Sequence, residues 1–315
     1  MDQKDIIKRF FDEGLLISPN IISDINEDNI EETIKKAKTL GITTIQNLDF
    51  LKIKEKNNVD IKITEPQKKK KLTPRDFIDF YNKKYDTIKN MLLKKVDAVS
   101  INNAKKSFSN VEIIGMIKEV LPQGFVLEDP TGEVMVMSKE SHLSEYDVIA
   151  VSGFLREGRI INGKVIYPDI PLNREISQIK LTVVFTTKIN NFDTDYIFTR
   201  GSSEPTKNII VLKRSPTWIT LKKNKQKATI VYIDIPQETD PEEATIWLKK
   251  RYLPNNKIID SNDNKFILNE IPNILWINSL SKWVKIYKGV MIISTTDKDS
   301  VKVDMENKKI EFINK

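Results

Sequence analysis

One histidine, His142, and no cysteine are all the soft or imidazole chemistry this chain holds. Without cysteine there are no disulfides, no thiolate-held zinc and no thiol nucleophile. A two-metal phosphoryl-transfer centre is held by mixed imidazole and carboxylate ligands, and one imidazole cannot supply the nitrogen half. His142 lies in "SKESHLSEYD", a polar stretch that reads as a solvated loop. Carboxylates are plentiful enough for an oxygen-only Mg²⁺ site, yet no acidic pair falls at the expected strand ends. At "TVVFTTKINNFD", residues 182–193, a run of β-formers meets a polar turn, and the groups offered there are Lys188, Asn190 and Asn191. An ammonium and two amides do not make a metal site. The other chemistry-bearing stretch is "LKKNKQK", where Lys222, Lys223, Lys225 and Lys227 could meet phosphates as point charges and nearby Trp218 could stack on a base. The alternatives are a solvated hairpin and a core tryptophan. Lys68 to Lys71 pose the same choice, and the formal charge of +7 suits an acidic partner but also an ordinary lysine-rich surface.

The elements that must carry these residues change character along the chain. Residues 1–52 read as a compact helical module for protein docking. Ile6, Ile7, Phe10 and Phe11 share a helical face that stops at Gly14, Ser18 and Pro19 start a second helix, and Ile30, Ile34 and Ala37 mark a third. Such short helices are unstable alone and must pack together. Residues 53–72 lose periodicity and end in lysines, so they read as a linker where proteolysis should cut first. Residues 73–107 open with Thr73, Pro74 and Asp76 as a helix start, and Phe77, Tyr81, Tyr85, Ile88 and Leu92 form an apolar stripe. In 108–172 the period falls to two: "NVEIIGMIKEV", "GFVLED", "EVMVMS", "YDVIAVSGFLRE" and "KVIYP" predict five strands, with Gly115 at a sharp bend. Five such strands fit an OB-fold barrel, whose few aromatics (Phe125, Phe154, Tyr167) and many acids suit a protein partner at least as well as DNA. From 173 to 315, strands dominate around one helix, "DPEEATIWLKKRYL", and "KFIL" is expected among the strands. No run of about 18 apolar residues is present. The charged start "MDQKDIIKRFF" lacks an apolar signal core, so the expectation is a cytoplasmic protein, free or nucleoid-associated, with no membrane contact.

"VEIIGMIKEVLPQGFVLEDPTGEV" with its turn Glu128-Asp129-Pro130-Thr131-Gly132, "VIAVSGFLREGRI" and "VIYPDIPLNRE", the helix "TPRDFIDFYNKKYDTIKNML" and the opening "FFDEGLLISPNII" together resemble the small subunit of archaeal D-family DNA polymerase. They are also similar to the B subunits of eukaryotic replicative polymerases, over residues 1–185. The resemblance implies an α+β multidomain chain: an N-terminal helical module, a five-stranded OB-fold barrel and a calcineurin-like phosphoesterase α/β sandwich. It also implies that the sandwich is degenerate. Where the family carries Ser-Asp-x-His-x-Gly-Ser, this chain has Thr187, Lys188, Ile189, Asn190 and Asn191. Arg214 and Ser215 replace a Gly-Asn-His-Asp motif, and Asn278, Ser279 and Ser281 stand where Gly, His and His would be. An ammonium in place of a metal carboxylate adds repulsion where two cations would sit. The expectation is a protein with no cofactor, metal or phosphoesterase activity. Its expected partner is a DNA polymerase subunit or another replication or repair protein, with single-stranded DNA as a second class of partner. The alternative is a stand-alone single-stranded DNA-binding OB-fold protein.

Overall fold

The computed structural model describes residues 3–25, 29–39, 42–45, 59–66, 73–107, 109–174, 178–187, 192–200, 208–254 and 264–313. It divides into two compact units, Met1–Asn58 and Val59–Lys315.

In the first unit, α1 (Gln3–Asp12) stops before Gly14, which takes a left-handed φ of 75°. β1 (Leu16–Ile17), a 3₁₀ turn at Pro19–Asp24, α2 (Ile30–Thr39) and β2 (Thr44–Ile45) follow, with β1 and β2 parallel. Ile6, Phe10, Ile22, Ile30, Ile34 and Ile45 share one core. The second expected helix is this 3₁₀ turn.

The second unit begins with β3 (Val59–Thr64) and α3 (Pro74–Leu92). Asp76 reaches back to accept the Thr73 N–H at 2.8 Å, which fixes the start of α3. Its buried face differs from the expected stripe. Tyr85, Ile88 and Leu92 are buried as expected, but towards the N-terminus the buried positions are Asp76, Phe80 and Lys84, with Phe77 and Tyr81 only half-buried. Hydropathy alone puts a lysine outside, so the true face was displaced in the reading.

After α4 (Ile101–Ala104) come β4 (Asn110–Leu121), β5 (Gly124–Asp129), β6 (Gly132–Met137), β7 (Val148–Arg156) and β8 (Arg159–Ile166). They close as β4-β5-β6-β8-β7, with β6 and β8 parallel and the other contacts antiparallel, a closed barrel compatible with an OB fold. A Cβ at Gly115 would lie 2.6 Å from the Glu128 carbonyl oxygen, so only glycine lets β4 and β5 approach there. Asp129 organises the turn that follows: one carboxylate oxygen accepts from the Thr131 and Gly132 N–H groups, the other from Ile101 at the start of α4. The fifth strand begins at Arg159, earlier than "KVIYP" suggested.

The rest of the unit contains β9 (Thr182–Thr186), β10 (Tyr196–Thr199), β11 (Ile209–Val211), β12 (Thr217–Lys223), β13 (Gln226–Asp234), α5 (Pro241–Lys250), β14 (Ile274–Asn278), β15 (Trp283–Tyr287), β16 (Val290–Thr295), β17 (Ser300–Asp304) and β18 (Lys309–Ile313). One sheet runs β11-β10-β9-β17-β18 and the other β15-β16-β14-β13-β12-β3. Phe185, Phe198 and Val301 of the first sheet share a core with Ile230, Trp276 and Ile293 of the second. The opposite face of the six-stranded sheet buries Val231, Ile277 and Ile292 against Trp247 and Leu248 of α5. The central strands β13, β14 and β16 are therefore covered on both sides, which is why they are largely apolar.

Three expectations need correction. Residues 59–66 are not linker: β3 pairs antiparallel with β12, Ile61 opposite Leu221 and Ile63 opposite Ile219. The cause is a period-two pattern, Val59, Ile61 and Ile63, too short to stand out beside the lysines. The remainder of 53–72 lies outside the described residues. "KFIL" is a 3₁₀ turn at Asn264–Phe266 and an isolated bridge at Ile267, not a strand. Finally, "YIFT" and "TWITLKK" form strands β10 and β12, which the sequence pattern does not predict.

Candidate functional site

Parallel strands β13, β14 and β16 end in register, with Asp234 beside Asn278 and Asn278 beside Thr295. Parallel β9 and β10 also end level, Thr186 beside Thr199, and Arg200 follows at once. The carboxyl ends of parallel strands are where α/β sheets present their functional groups. Four side chains meet at this crest. Arg200 Nη1 donates to Asp234 Oδ1 at 2.9 Å and lies 3.9 Å from Asp297 Oδ1. Asn278 Nδ2 lies 3.0 Å from the same Asp234 oxygen and 3.3 Å from Asp297 Oδ1. Ser215 Oγ accepts the Asp234 N–H at 2.9 Å, and Thr187 Oγ1 donates to the Asp297 carbonyl at 2.6 Å. Below them, burial drives the Tyr232 phenol well above its usual range, and its hydroxyl is buried with no hydrogen-bond partner among the described residues.

Beside this crest lies a closed hydroxyl network. Ser279 is buried; its Oγ is 2.8 Å from Ser294 Oγ and 3.1 Å from Ser281 Oγ, and it accepts from Thr239 Oγ1 at 3.2 Å. Ser281 Oγ donates to the Thr239 carbonyl, which also accepts the Trp283 indole N–H at 2.7 Å. These hydroxyls satisfy one another and hold the β14–β15 turn against the start of α5. They offer neither a ring nitrogen nor a carboxylate.

Ser279 and Ser281 are thus brought together at the strand ends. Lys188 and Asn190 lie outside the described residues. His142 is exposed. Among the described residues no three His, Cys, Asp or Glu side chains group as a metal's ligands. The two crest carboxylates fit a divalent ion poorly, because a guanidinium already lies on them and cannot lose its proton. The residues sequence reasoning missed are Arg200, Asp234 and Asp297. A charged residue at the end of a run of apolar and β-branched residues, as in "ATIVYID" and "YIFTR", is the available signal for Asp234 and Arg200.

The lysine stretch lies in the β12–β13 hairpin. Lys222 and Lys223 sit in β12, Lys227 in β13, and Lys225 in the turn. Lys227 pairs with Glu270 at 2.7 Å and Lys223 donates to the Lys180 carbonyl at 3.2 Å. Trp218 packs half-buried beside the α5-side core, its indole N–H donating to the Lys265 carbonyl at 2.8 Å, an arrangement that fits the core alternative. On the barrel, Glu128 stands opposite Glu133, and Lys118 is paired to Glu133 at 2.5 Å. That patch holds two carboxylates to one ammonium.

The fold defines an α+β chain with a closed five-stranded barrel and a two-sheet layered region whose strand ends carry a bonded polar crest. No protein-family model matches the chain. Over 108 residues it is 27% identical to the DNA polymerase II small subunit of Archaeoglobus fulgidus, covering 31% of this chain and 22% of that relative's length. The relationship is distant and covers only that part of each protein. No helix among the described residues is long and apolar enough to cross a membrane.

Proposed function

We propose that this chain is a non-catalytic accessory protein of DNA replication or repair, an inactivated homologue of polymerase small subunits that scaffolds a polymerase subunit or another replication protein. In this reading the first unit is a docking module, the barrel is an OB fold, and the two sheets with α5 are a degenerate calcineurin-like phosphoesterase sandwich. The observation that carries it is the crest. A guanidinium bonded to Asp234 and an amide within reach of both Asp234 and Asp297 occupy the strand ends where phosphoesterase chemistry would need metal ligands. The hydroxyl network at Ser279 and Ser281 supports it further, since the resemblance would require imidazoles there. The acidic barrel favours protein over single-stranded DNA as the barrel's partner.

The test has two arms. Purified protein is incubated with Mn²⁺ or Mg²⁺ and 3′-labelled single strands, and no metal-dependent degradation is expected. It is also mixed with the catalytic subunit of a polymerase and run by size exclusion, where co-elution is expected. Degradation that disappears in Asp234→Asn would sink the non-catalytic reading, and failure to co-elute would count against the polymerase partner.

A further inference from the structure

β15 is the outermost strand of the six-stranded sheet, and among the described residues no strand pairs with its outer side. Its register with β16 fixes which backbone groups look outward. Tyr287 stands opposite Val290 across a two-residue turn, Lys288 and Gly289, both at positive φ, 44° and 78°. Residues flanking such a turn bond each other, and the alternation of an antiparallel ladder then places the bonded positions at Tyr287, Lys285 and Trp283. The N–H and C=O groups of Val284 and Ile286 therefore point away from the sheet.

The same two residues leave their side chains open, Val284 36% and Ile286 59% exposed. The residues alternating with them are committed to their own chain. The Trp283 indole N–H donates to the Thr239 carbonyl at 2.7 Å, Lys285 pairs with Glu242 of α5, and the Tyr287 hydroxyl donates to Asp169 at 2.9 Å. An edge with free backbone groups and exposed aliphatic side chains is a template for another strand.

The sequence of the edge says which strand. Trp283–Val284–Lys285–Ile286–Tyr287 runs aromatic, aliphatic, lysine, aliphatic, aromatic, and reads alike in both directions. A two-fold axis at Lys285 sets the strand antiparallel to a copy of itself, with Val284 opposite Ile286 of the copy and Trp283 opposite its Tyr287. In that register Val284 and Ile286 take the bonded positions, so the outward-pointing groups of each copy meet those of the other. Charge agrees. Lys282, Lys285 and Lys288, the cations along this edge, already hold Asp299, Glu242 and Asp169. The edge therefore does not call for an acidic partner, and Lys285 meets its symmetry mate with a counter-ion of its own.

We propose that the chain forms a two-fold dimer by antiparallel pairing of β15 with β15 of a second copy, which makes one continuous sheet of the two. The inference goes beyond the scaffold reading and does not depend on it.

So short a contact makes a weak dimer, with a dissociation constant on the order of 10–100 μM. Sedimentation velocity from about 5 to 500 μM should show the mass rising from one chain towards two, across that range. Val284→Pro removes an outward N–H that no bond within the chain uses, so it should fold, as circular dichroism will show, and dimerise roughly ten-fold more weakly or worse. Ile286→Lys, an added cation on the open face of the edge, should do the same. Because the chain has no cysteine, Lys285→Cys supplies a single thiol at the axis. Facing residues at such a position have Cα atoms about 4.5 Å apart, within reach of a disulfide. On mild oxidation it should cross-link roughly ten-fold faster than Lys222→Cys on exposed β12, and adding Val284→Pro should remove the difference. A single-chain mass at every concentration, dimerisation unchanged in both Val284→Pro and Ile286→Lys, or equal cross-linking of the two cysteines would each overturn the proposal. The first of these would leave the edge to a strand of another protein.

Discussion

The α3 side of the barrel and the strand-end crest each hold a cation beside an aspartate, and the two are built on opposite terms. At α3, Lys84 is 4% exposed, its ammonium 3.7 Å from the centre of the Tyr252 ring, while the nearby Asp147 already pairs with Lys250 at 2.6 Å. At the crest, the Arg200 side chain is 43% exposed and bonds Asp234 directly. Burial therefore governs the first cation and bonding geometry the second. A buried charge acts on stability through desolvation; an exposed pair adds little because water screens it and holding both side chains still costs entropy.

The largest effect is expected at Lys84. Burial lowers its pKa to about 8, with Lys250 also lowering it and Asp147 opposing. Below pH 8 the lysine is charged in folded and unfolded chains alike, and the full burial penalty is present. Between pH 8 and 10.5 the folded protein releases this proton while the unfolded chain keeps it, so the unfolded state binds more protons and stability rises with pH. The shift corresponds to about 3 kcal/mol. Lys84→Met should therefore be more stable than wild type at pH 7, by about 1–3 kcal/mol after loss of the contact with the Tyr252 ring. The advantage should shrink as pH rises to 10. Denaturant unfolding at several pH values measures it. A methionine variant less stable than wild type at pH 7 would mean that Asp147 and Tyr252 outweigh desolvation, and the comparison would fail on this side.

At the crest the expected effect is smaller. A double-mutant cycle with Arg200→Met and Asp234→Asn should give a coupling of about 0.5 kcal/mol, declining as salt is added. A salt-insensitive coupling above ~2 kcal/mol would mean that the crest behaves as an interior, like α3, and the two regions would no longer differ in kind.

The same division explains what could be read in the sequence. Barrel strands announced themselves because a half-buried strand must alternate: Ile113, Ile117, Phe125, Leu127, Val134 and Val136 all point inward. Lys84 gave no such sign, because its place inside comes from α3 packing beside both the barrel and Ile267, which helical periodicity does not contain. β3 was hidden for a similar reason, since its partner β12 lies some 150 residues along the chain. Ser279 and Ser281 were found only through resemblance, as serine carries no strong signature of its own. Arg200, Asp234 and Asp297 became neighbours through topology alone: three separate strands had to end together before their charges met.

The smallest effect concerns the lysines of the β12–β13 hairpin, whose bonds are fewer than those of the crest. Changing Lys222, Lys223, Lys225 and Lys227 to serine should hardly alter stability, and should act only on a salt-dependent affinity for single strands. The four are not equivalent. Lys227 is paired to Glu270 and Lys223 to a carbonyl, so a phosphate would have to displace those partners. Lys222 faces Asp60 across the strand pair but is exposed, and Lys225 stands in the turn. If only these two meet phosphates, removing all four should flatten the salt slope by about 1.4, at ~0.7 per contact, and the pair Lys222→Ser with Lys225→Ser should do the same. Fluorescence anisotropy across a salt series measures both variants. A larger loss in the quadruple variant than in the pair would show that strands open the Lys227–Glu270 pair. An unchanged slope in both would remove the hairpin from any DNA-binding surface and leave the protein-scaffold reading the stronger one.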